Sequence, residues 1–405
     1  MRLWDAASPS HPAPVTLPQA VATQVGSVAV SSDGRALVSA GPLGTVLVWS
    51  IPPVMLAYGQ VSAVAWSQQR GILASAGSGG YVRLWKMDGP VAPLPLGPPL
   101  GARGDTAGSL AFSPDGRLLA SGDAGSVRLW QLADLGHSFV LRTGSSAVIS
   151  SAAFSPEDGV LAVGDGAGPV QIWDVASPAR PRELSTVSGD PFDGAAVAFS
   201  PDGGMLASGD ADGYVHLWHM SDPARPRPAG PQWQAAGTPL GGISSLAFSP
   251  HGHLLAAGAD NGTVQLWDVT DPARPVPFGQ PLDDAVGTYV TVAFSADGAV
   301  LAIAGNNDAV QLWDMTDHAG PRPISKPITA SADPATTVSA GPATPALALA
   351  GATVVTGSTD GDTRLWDMNV NDAIKRICAI PGDELTPAQW QRYIPQLPYT
   401  ATCPR

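Results

Sequence analysis

A Leu-Trp dipeptide, or a close variant, returns along this chain at a nearly constant interval. It ends at Trp4, Trp49, Trp85, Trp130, Trp173, Trp218, Trp267, Trp313 and Trp366. Nine of the twelve tryptophans thus stand in one register. From Trp49 onward the interval averages about 45 residues, the period of a repeat that forms one small sheet. A chain of 405 residues is too long for one ordinary core, so repetition constrains its fold more than any other feature.

The unit is clearest in GAAVAFSPDGGMLASGDADGYVHLW (194–218) and ISSLAFSPHGHLLAAGADNGTVQLW (243–267). Each reads as three apolar runs separated by two turns. The runs are too short for helices and suit strands buried on both faces. Ser-Pro-Asp-Gly at 113–116 and 200–203 is a turn: proline presets φ, and glycine accepts the positive φ that follows. Asp212-Gly213 and Asn261-Gly262 are hairpin signals between the second and third runs. A proline-rich connector follows each tryptophan, as in Asp271-Pro272-Ala273-Arg274-Pro275. It leads to a fourth strand near Val276 to Phe278, where edge placement tolerates proline.

Four antiparallel strands repeated in this way predict an all-β propeller, in which each sheet buries its faces against its neighbours. Trp49, Trp85, Trp130, Trp173, Trp218, Trp267, Trp313 and Trp366 are expected to fill the space between blades. They count about eight four-stranded blades; seven blades plus an extra unit is the alternative. Leu3-Trp4-Asp5 is the tail of a ninth motif, and the segment through Pro18 is expected to supply the outer strand of the last blade and close the ring. The division is then 1–16 as partial repeat and closing segment, 17–367 as propeller, and 368–405 as a short helical tail packed on it. Asn371 and Thr386-Pro387 are helix-start signals in that tail.

The order VAFSPDG, LASG, DG, LWD resembles the WD-repeat (WD40) family over roughly residues 17–367. The stretch DVTDPARPVPFGQPL (268–282) resembles the C-terminal WD-repeat regions of actinobacterial signalling proteins, where such repeats often follow a STAND-type ATPase or a protease module; the chain shows no such module. Two features depart from the family. No unit carries the Gly-His dipeptide immediately ahead of its first strand. The turn aspartate that would pair with it occurs only at Asp212 and Asp360, with Leu43, Gly79, Ala124, Ala167, Asn261 and Asn307 elsewhere. The family's buried Asp-His-Ser/Thr-Trp network is therefore incomplete, and apolar packing is expected to hold the blades.

Net charge is −13 and only three lysines occur, Lys86, Lys326 and Lys375. That excludes the basic face a nucleic acid needs and electrostatic docking on anionic membranes. The start lacks an apolar leader, and the two cysteines, Cys378 and Cys403, do not make a disulfide scaffold, so a cytoplasmic setting is expected. Two free thiols are expected in a reducing cytosol; a bond between the two is the alternative.

Catalytic patterns are missing. None of the three lysines follows glycine in a phosphate-binding loop, and no serine stands in G-x-S-x-G. Gly164 to Gly168 is glycine-rich but leads into a strand, so it cradles no phosphate. His216 and His219 fall on opposite strand faces, and His251 and His253 flank a turn glycine; these are structural positions rather than metal ligands. Asp210-Ala211-Asp212-Gly213 lacks the late glutamate of a calcium loop. No catalytic, cofactor or metal site is expected.

One cluster bears on binding. Asp123, Asp165, Asp210, Asp212, Asp260, Asn261, Asn306, Asn307, Asp308 and Asp360 occupy the second turns, which a propeller gathers on one face. Asp and Asn suit tight turns in any case; a docking surface for a basic peptide is the sharper expectation. The chain then reads as a protein-interaction scaffold or sensor of a bacterial signalling system, not an enzyme, with protein or peptide partners. A small-molecule or hydrolytic site in the central channel, or a structural fragment of a longer repeat protein, are the alternatives.

Overall fold

The computed structural model describes residues 61–77, 80–86, 94–101, 108–157, 159–165, 168–188, 196–235, 241–283, 287–306, 309–317 and 320–324, together with isolated strands before and after this span. The tail 368–405 lies outside the described residues, as do the helix expected there and both cysteines.

Six blades are built from consecutive strands, ordered from the centre outward as they occur in the chain. Their inner strands are Val61–Ser67, Ser109–Phe112, Ser151–Phe154, Ala196–Phe199, Ile243–Phe248 and Thr291–Phe294 for blades 1 to 6. Each inner strand packs on the next. A composite sheet fills the place between blades 6 and 1. It joins Ala346–Ala350, Thr353–Gly357 and Asp362–Asp367 to a distant strand, Met55–Leu56. Ala346–Ala350 touches the inner strands of blades 6 and 1, which closes the ring.

The sequence-based count of eight blades is therefore corrected, as is the alternative of seven: six blades have their own four strands in order. The unit ending at Trp49 forms a separate three-stranded sheet, Ser27–Val30, Ala36–Ala40 and Val46–Ser50. The expected closing segment is corrected too. Leu3–Asp5 pairs with Ala13–Val15 as a ribbon, while Met55 and Leu56 pair with Thr363 and Asp362. The physical reason is that a tryptophan register counts units along the chain, whereas ring membership is decided by which strand completes the last sheet.

The dipeptides Leu-Ala and Leu-Trp set the packing. Alternate residues of a strand point to opposite faces. Leu73 and Trp85 face the composite sheet, where they meet Val355; Ala74 and Leu84 face blade 2, where they meet Leu119 and Trp130. The same layer recurs as Ala120 and Leu129 against Leu161 and Trp173, then Ala162 and Ile172 against Leu206 and Trp218. Ala256 and Leu266 repeat it against Leu301 and Trp313. One face offers a small side chain where its neighbour brings a large one, and Leu73, Leu119, Leu161, Leu206, Leu255 and Leu301 are fully enclosed. Burial of a leucine contributes about 1.5–3 kcal/mol, so this layer carries the fold.

The turns behave as their residues dictate. Gly116 and Gly203 end the Ser-Pro-Asp-Gly turns at φ of 64° and 69°, and Gly213 and Gly262 close the hairpin turns at 87° and 92°. The expected fourth strand is present as Val276–Asp283.

Candidate functional site

Antiparallel order puts the second turns of all blades on one face, and the first turns and proline connectors on the other. On the second-turn face the acidic residues are brought together but not equally presented. Asp210 is 2% exposed; its Oδ1 accepts the amides of Asp212 (2.9 Å) and Tyr214 (2.8 Å), and its carbonyl accepts the Ile243 amide of blade 5 (2.8 Å). Asp123 is also buried, with its carboxylate 3.6 Å from Arg128 Nε. The carbonyls of Asp123 and Asp260 accept the amides of Ile149 and Tyr289, each at 3.1 Å, which anchors the next blade. These turns are structural brackets first.

Asp212 and Asn261 are exposed, while Asp165, Asp260 and Asn306 are half-buried. Asn261 Oδ1 accepts from Thr263 N (3.0 Å) and Thr263 Oγ1 (2.7 Å), and Asn306 bonds Thr288 through both ends of its amide. Asn307, Asp308 and Asp360 lie outside the described residues. The turn reading of Asp210-Ala211-Asp212-Gly213 is thus what the geometry gives, and the acid that remains available to a partner is centred on Asp212 and Asp260.

The central channel is a cavity of about 150 Å³ whose described walls are hydroxyl and aliphatic, among them Ser62, Ser109, Ser151, Ser245, Thr291 and Leu246; none of its described lining residues is ionisable. Some hydroxyls bind neighbouring backbone. Ser151 Oγ accepts the Val197 amide, Ser245 Oγ accepts the Val292 amide, and Ser244 Oγ donates to Val290 O at 2.7 Å.

The tryptophans have a partner system that sequence reading missed. Trp85, Trp130 and Trp218 donate Nε1–H to Ser75, Ser121 and Ser208, each at 3.1 Å. In these blades the residue beside the serine across the ladder is Arg83, Arg128 or His216, which lies over the indole. Where the serine is replaced by Val163, Ala257 or Ile303, the cross-strand residue is Gln171, Gln265 or Gln311. Gln171 Oε1 accepts from Trp173 at 3.2 Å. Gln265 and Gln311 instead donate to backbone carbonyls, and the buried Nε1 of Trp267 and Trp313 finds no acceptor among the described residues. The signal was visible in LASG against LAVG, LAAG and LAIA.

On the opposite face, the first-turn aspartates cap their own turns. The Ser200 hydroxyl (2.5 Å) and Gly204 amide (3.0 Å) hold the Asp202 carboxyl below the usual range, against a smaller opposing effect of burial. Ser295 and the Ala299 amide do the same for Asp297. Burial raises Asp115, but the Ser113 hydroxyl, the Arg117 amide and the charges of Arg117 and Arg70 outweigh it and leave it lowered. His251 and His253 stack at 6.2 Å, His219 is exposed, and among the described residues no three His, Cys, Asp or Glu side chains gather as a metal site.

Four segments match the family model of the WD domain, G-beta repeat: 54–86, 103–131, 183–219 and 237–268. No curated protein sequence matches the chain. Among solved structures, it is similar to the β-propeller domain of Cps50 (Swd1) from Myceliophteria thermophila, with TM-score 0.61, 17% identity, and coverage of 78% of this chain and 98% of that one. It is also similar to a chain of the Mitotic Checkpoint Complex, with TM-score 0.59, 19% identity, and coverage of 78% and 89%. At these identities the likeness is one of fold. The chain folds as a β-propeller, and four of its segments match the WD40 repeat model.

Proposed function

We propose that this propeller is a protein-interaction scaffold without catalysis of its own, and that it docks a basic peptide on the second-turn face. The observation that carries this reading is the channel. Its described lining has no ionisable side chain, so none of those residues supplies an acid, a base or a charged anchor. Function falls instead to the turns that a rigid ring presents. The available acids there are Asp212, exposed, and Asp260, half-buried, in a chain of net charge −13. The proline connectors resemble those of actinobacterial repeat regions, which supports a sensor or scaffold role in bacterial signalling, set in the cytoplasm.

Charge reversal is the test. Asp212→Arg with Asp260→Arg is compared with the unaltered chain in cross-linked capture of proteins from the native host, with thermal melts of both. Loss of the captured partner at unchanged melting supports the reading. An unchanged partner set removes the second-turn face from it, and no partner with either chain removes the scaffold.

A further inference from the structure

Blade 2 differs from its neighbours in one measurable way. After the third strand, Lys86 pairs with Leu94, Asp174 with Arg182, His219 with Arg227, Asp268 with Val276 and Asp314 with Arg322. Each of these pairs spans eight positions. In blade 2, Gln131 pairs with Asp134, three positions on. The turn there is five residues shorter at this pair and lacks the proline-rich sequence; a bulge beside it returns three of the five, since Trp130 pairs with Ser138 where Trp173 pairs with Glu183.

The connectors normally fill space between blades. Ser185 Oγ of blade 3 donates to Pro223 O in the blade 4 connector at 2.7 Å. A Cβ on Gly230 of blade 4 would lie 2.7 Å from Ala273 Cα in the blade 5 connector. Beside this tighter turn, a hollow of about 460 Å³ is lined by Gln131 and Ala133 of blade 2 and by Val175, Ala176 and Pro178 of blade 3. That size is in the range of ligand pockets, about 300–1,000 Å³. Its floor is apolar, with Leu118 and Phe154.

The charge of the hollow runs against that of the whole chain. Its ionisable lining is Arg70, Arg117 and Asp115, two guanidiniums to one carboxylate, in a chain of net charge −13. Asp115 is committed within its turn: Oδ1 accepts from Ser113 Oγ (2.6 Å) and Arg117 N (2.8 Å), and Oδ2 lies 3.3 Å from Arg117 Nε. The Arg70 stem rests on the blade 2 turn, with Cγ 2.7 Å from where a Gly116 Cβ would stand. Two guanidiniums, of which Arg117 is paired with Asp115, therefore border a partly apolar slot.

We propose that this hollow is a second docking site, for an extended, proline-containing segment of a partner protein that places a carboxylate between aliphatic residues. The aliphatic and proline groups cover Leu118, Phe154 and Val175, and the carboxylate meets Arg70 and Arg117, a pairing that guanidinium geometry favours. The site rests on the scaffold reading but lies on the opposite face from Asp212.

The test uses the full chain and labelled heptapeptides Ala-Pro-Leu-X-Leu-Pro-Ala, blocked at both ends, with X as Asp, Asn or Arg, read by fluorescence anisotropy. The Asp peptide binds, the Asn peptide binds about tenfold more weakly for want of the charge-assisted contact, and the Arg peptide weaker still. Arg70→Glu weakens the Asp peptide about tenfold with an unchanged melt, since Arg70 is exposed. Inserting Ser-Pro-Ala-Arg-Pro between Ala133 and Asp134 fills the hollow and abolishes binding; if that variant misfolds, Arg70→Glu and the peptide series decide. Asp212→Arg leaves the affinity unchanged. Absent binding of the Asp peptide, equal binding of all three peptides, or indifference to Arg70→Glu overturns the proposal. Failure of the scaffold reading is separate, because it shows as a wild-type chain that captures no partner.

Discussion

Ser151 Oγ accepts the backbone amide of Val197 at 3.1 Å, across 46 positions of chain and one blade boundary. Ser245 and Val292 repeat the contact at 3.2 Å, across 47 positions. The sequence period is thus also the span of a hydrogen bond. An inner strand has one edge without a ladder partner, and its amides must be satisfied otherwise. Here the preceding blade supplies the acceptor. Ser151→Ala and Ser245→Ala each leave a half-buried to buried amide unpaired and are expected to destabilise by about 1–2 kcal/mol. The two sites share no partner, so the double variant should lose roughly the sum. Urea unfolding measures both, and additivity failing by more than the single effects would show that the blades do not bond independently.

Trp267 gives a prediction of the opposite sign. Its buried Nε1 has no acceptor among the described residues, while Trp85, Trp130 and Trp218 each find a serine in the second strand. Ala257 occupies that serine's place in blade 5. Ala257→Ser is expected to stabilise by about 0.5–1.5 kcal/mol, the net worth of one hydrogen bond. Gln171→Ala is expected to cost about 1–3 kcal/mol by orphaning the Trp173 indole. Thermal melts of the pair check the rule, and it fails if both shifts have the same sign.

Asp202 and Asp297 make stability depend on pH. Their folded carboxyls are held below the ordinary value of about 3.9. The folded state then binds fewer protons than the unfolded one between the two values. The stabilisation is fully present above the unfolded value and is lost as pH falls through the folded one. Below about pH 4 melting should drop steeply, and Ser200→Ala with Ser295→Ala should flatten that drop. Melts from acid to neutral pH read the difference; an unchanged acid slope would remove these turns as the cause.

The closing strand can be tested by where the chain is cut. A chain starting at residue 52 retains Met55–Leu56, whereas one starting at 61 exposes the outer edge of Asp362–Asp367. The second should be less stable by about 1–3 kcal/mol, the worth of two ladder hydrogen bonds, and more prone to associate through that edge. The first should melt like the full chain. Light scattering with calorimetry separates them, and equal behaviour of the two truncations would show that closure lies elsewhere.

Much of this architecture is legible in the sequence. Strand lengths, both turn types and the fourth strand follow from local chemistry, and Gly116, Gly213 and Val276–Asp283 stand as that chemistry requires. Ring membership is not legible there, because Met55–Leu56 is paired with residues over 300 positions away and nothing local in Met-Leu announces it. The acidic face is legible in composition only. Whether Asp210 meets solvent depends on the amides of Asp212 and Tyr214 folding over it, and the carboxylate has turned inward to cap its own hairpin. The short blade 2 connector stands open in the sequence, but its meaning needs the register of Gln131 with Asp134.

The Leu-Ala and Leu-Trp faces have an evolutionary consequence. The boundaries between consecutive blades 1 to 6 join the same alternation of Leu-Trp and Ala-Leu or Ala-Ile faces, so this layer does little to fix which blade stands beside which. Leu37 stands across from Trp49 in the unit outside the ring, as Leu73 does from Trp85 within it. A unit gained or lost by unequal recombination would thus meet a compatible neighbour at once. Copy number in such a gene can drift without any new surface having to be invented, and the strand that seals the circle decides which copies are enrolled.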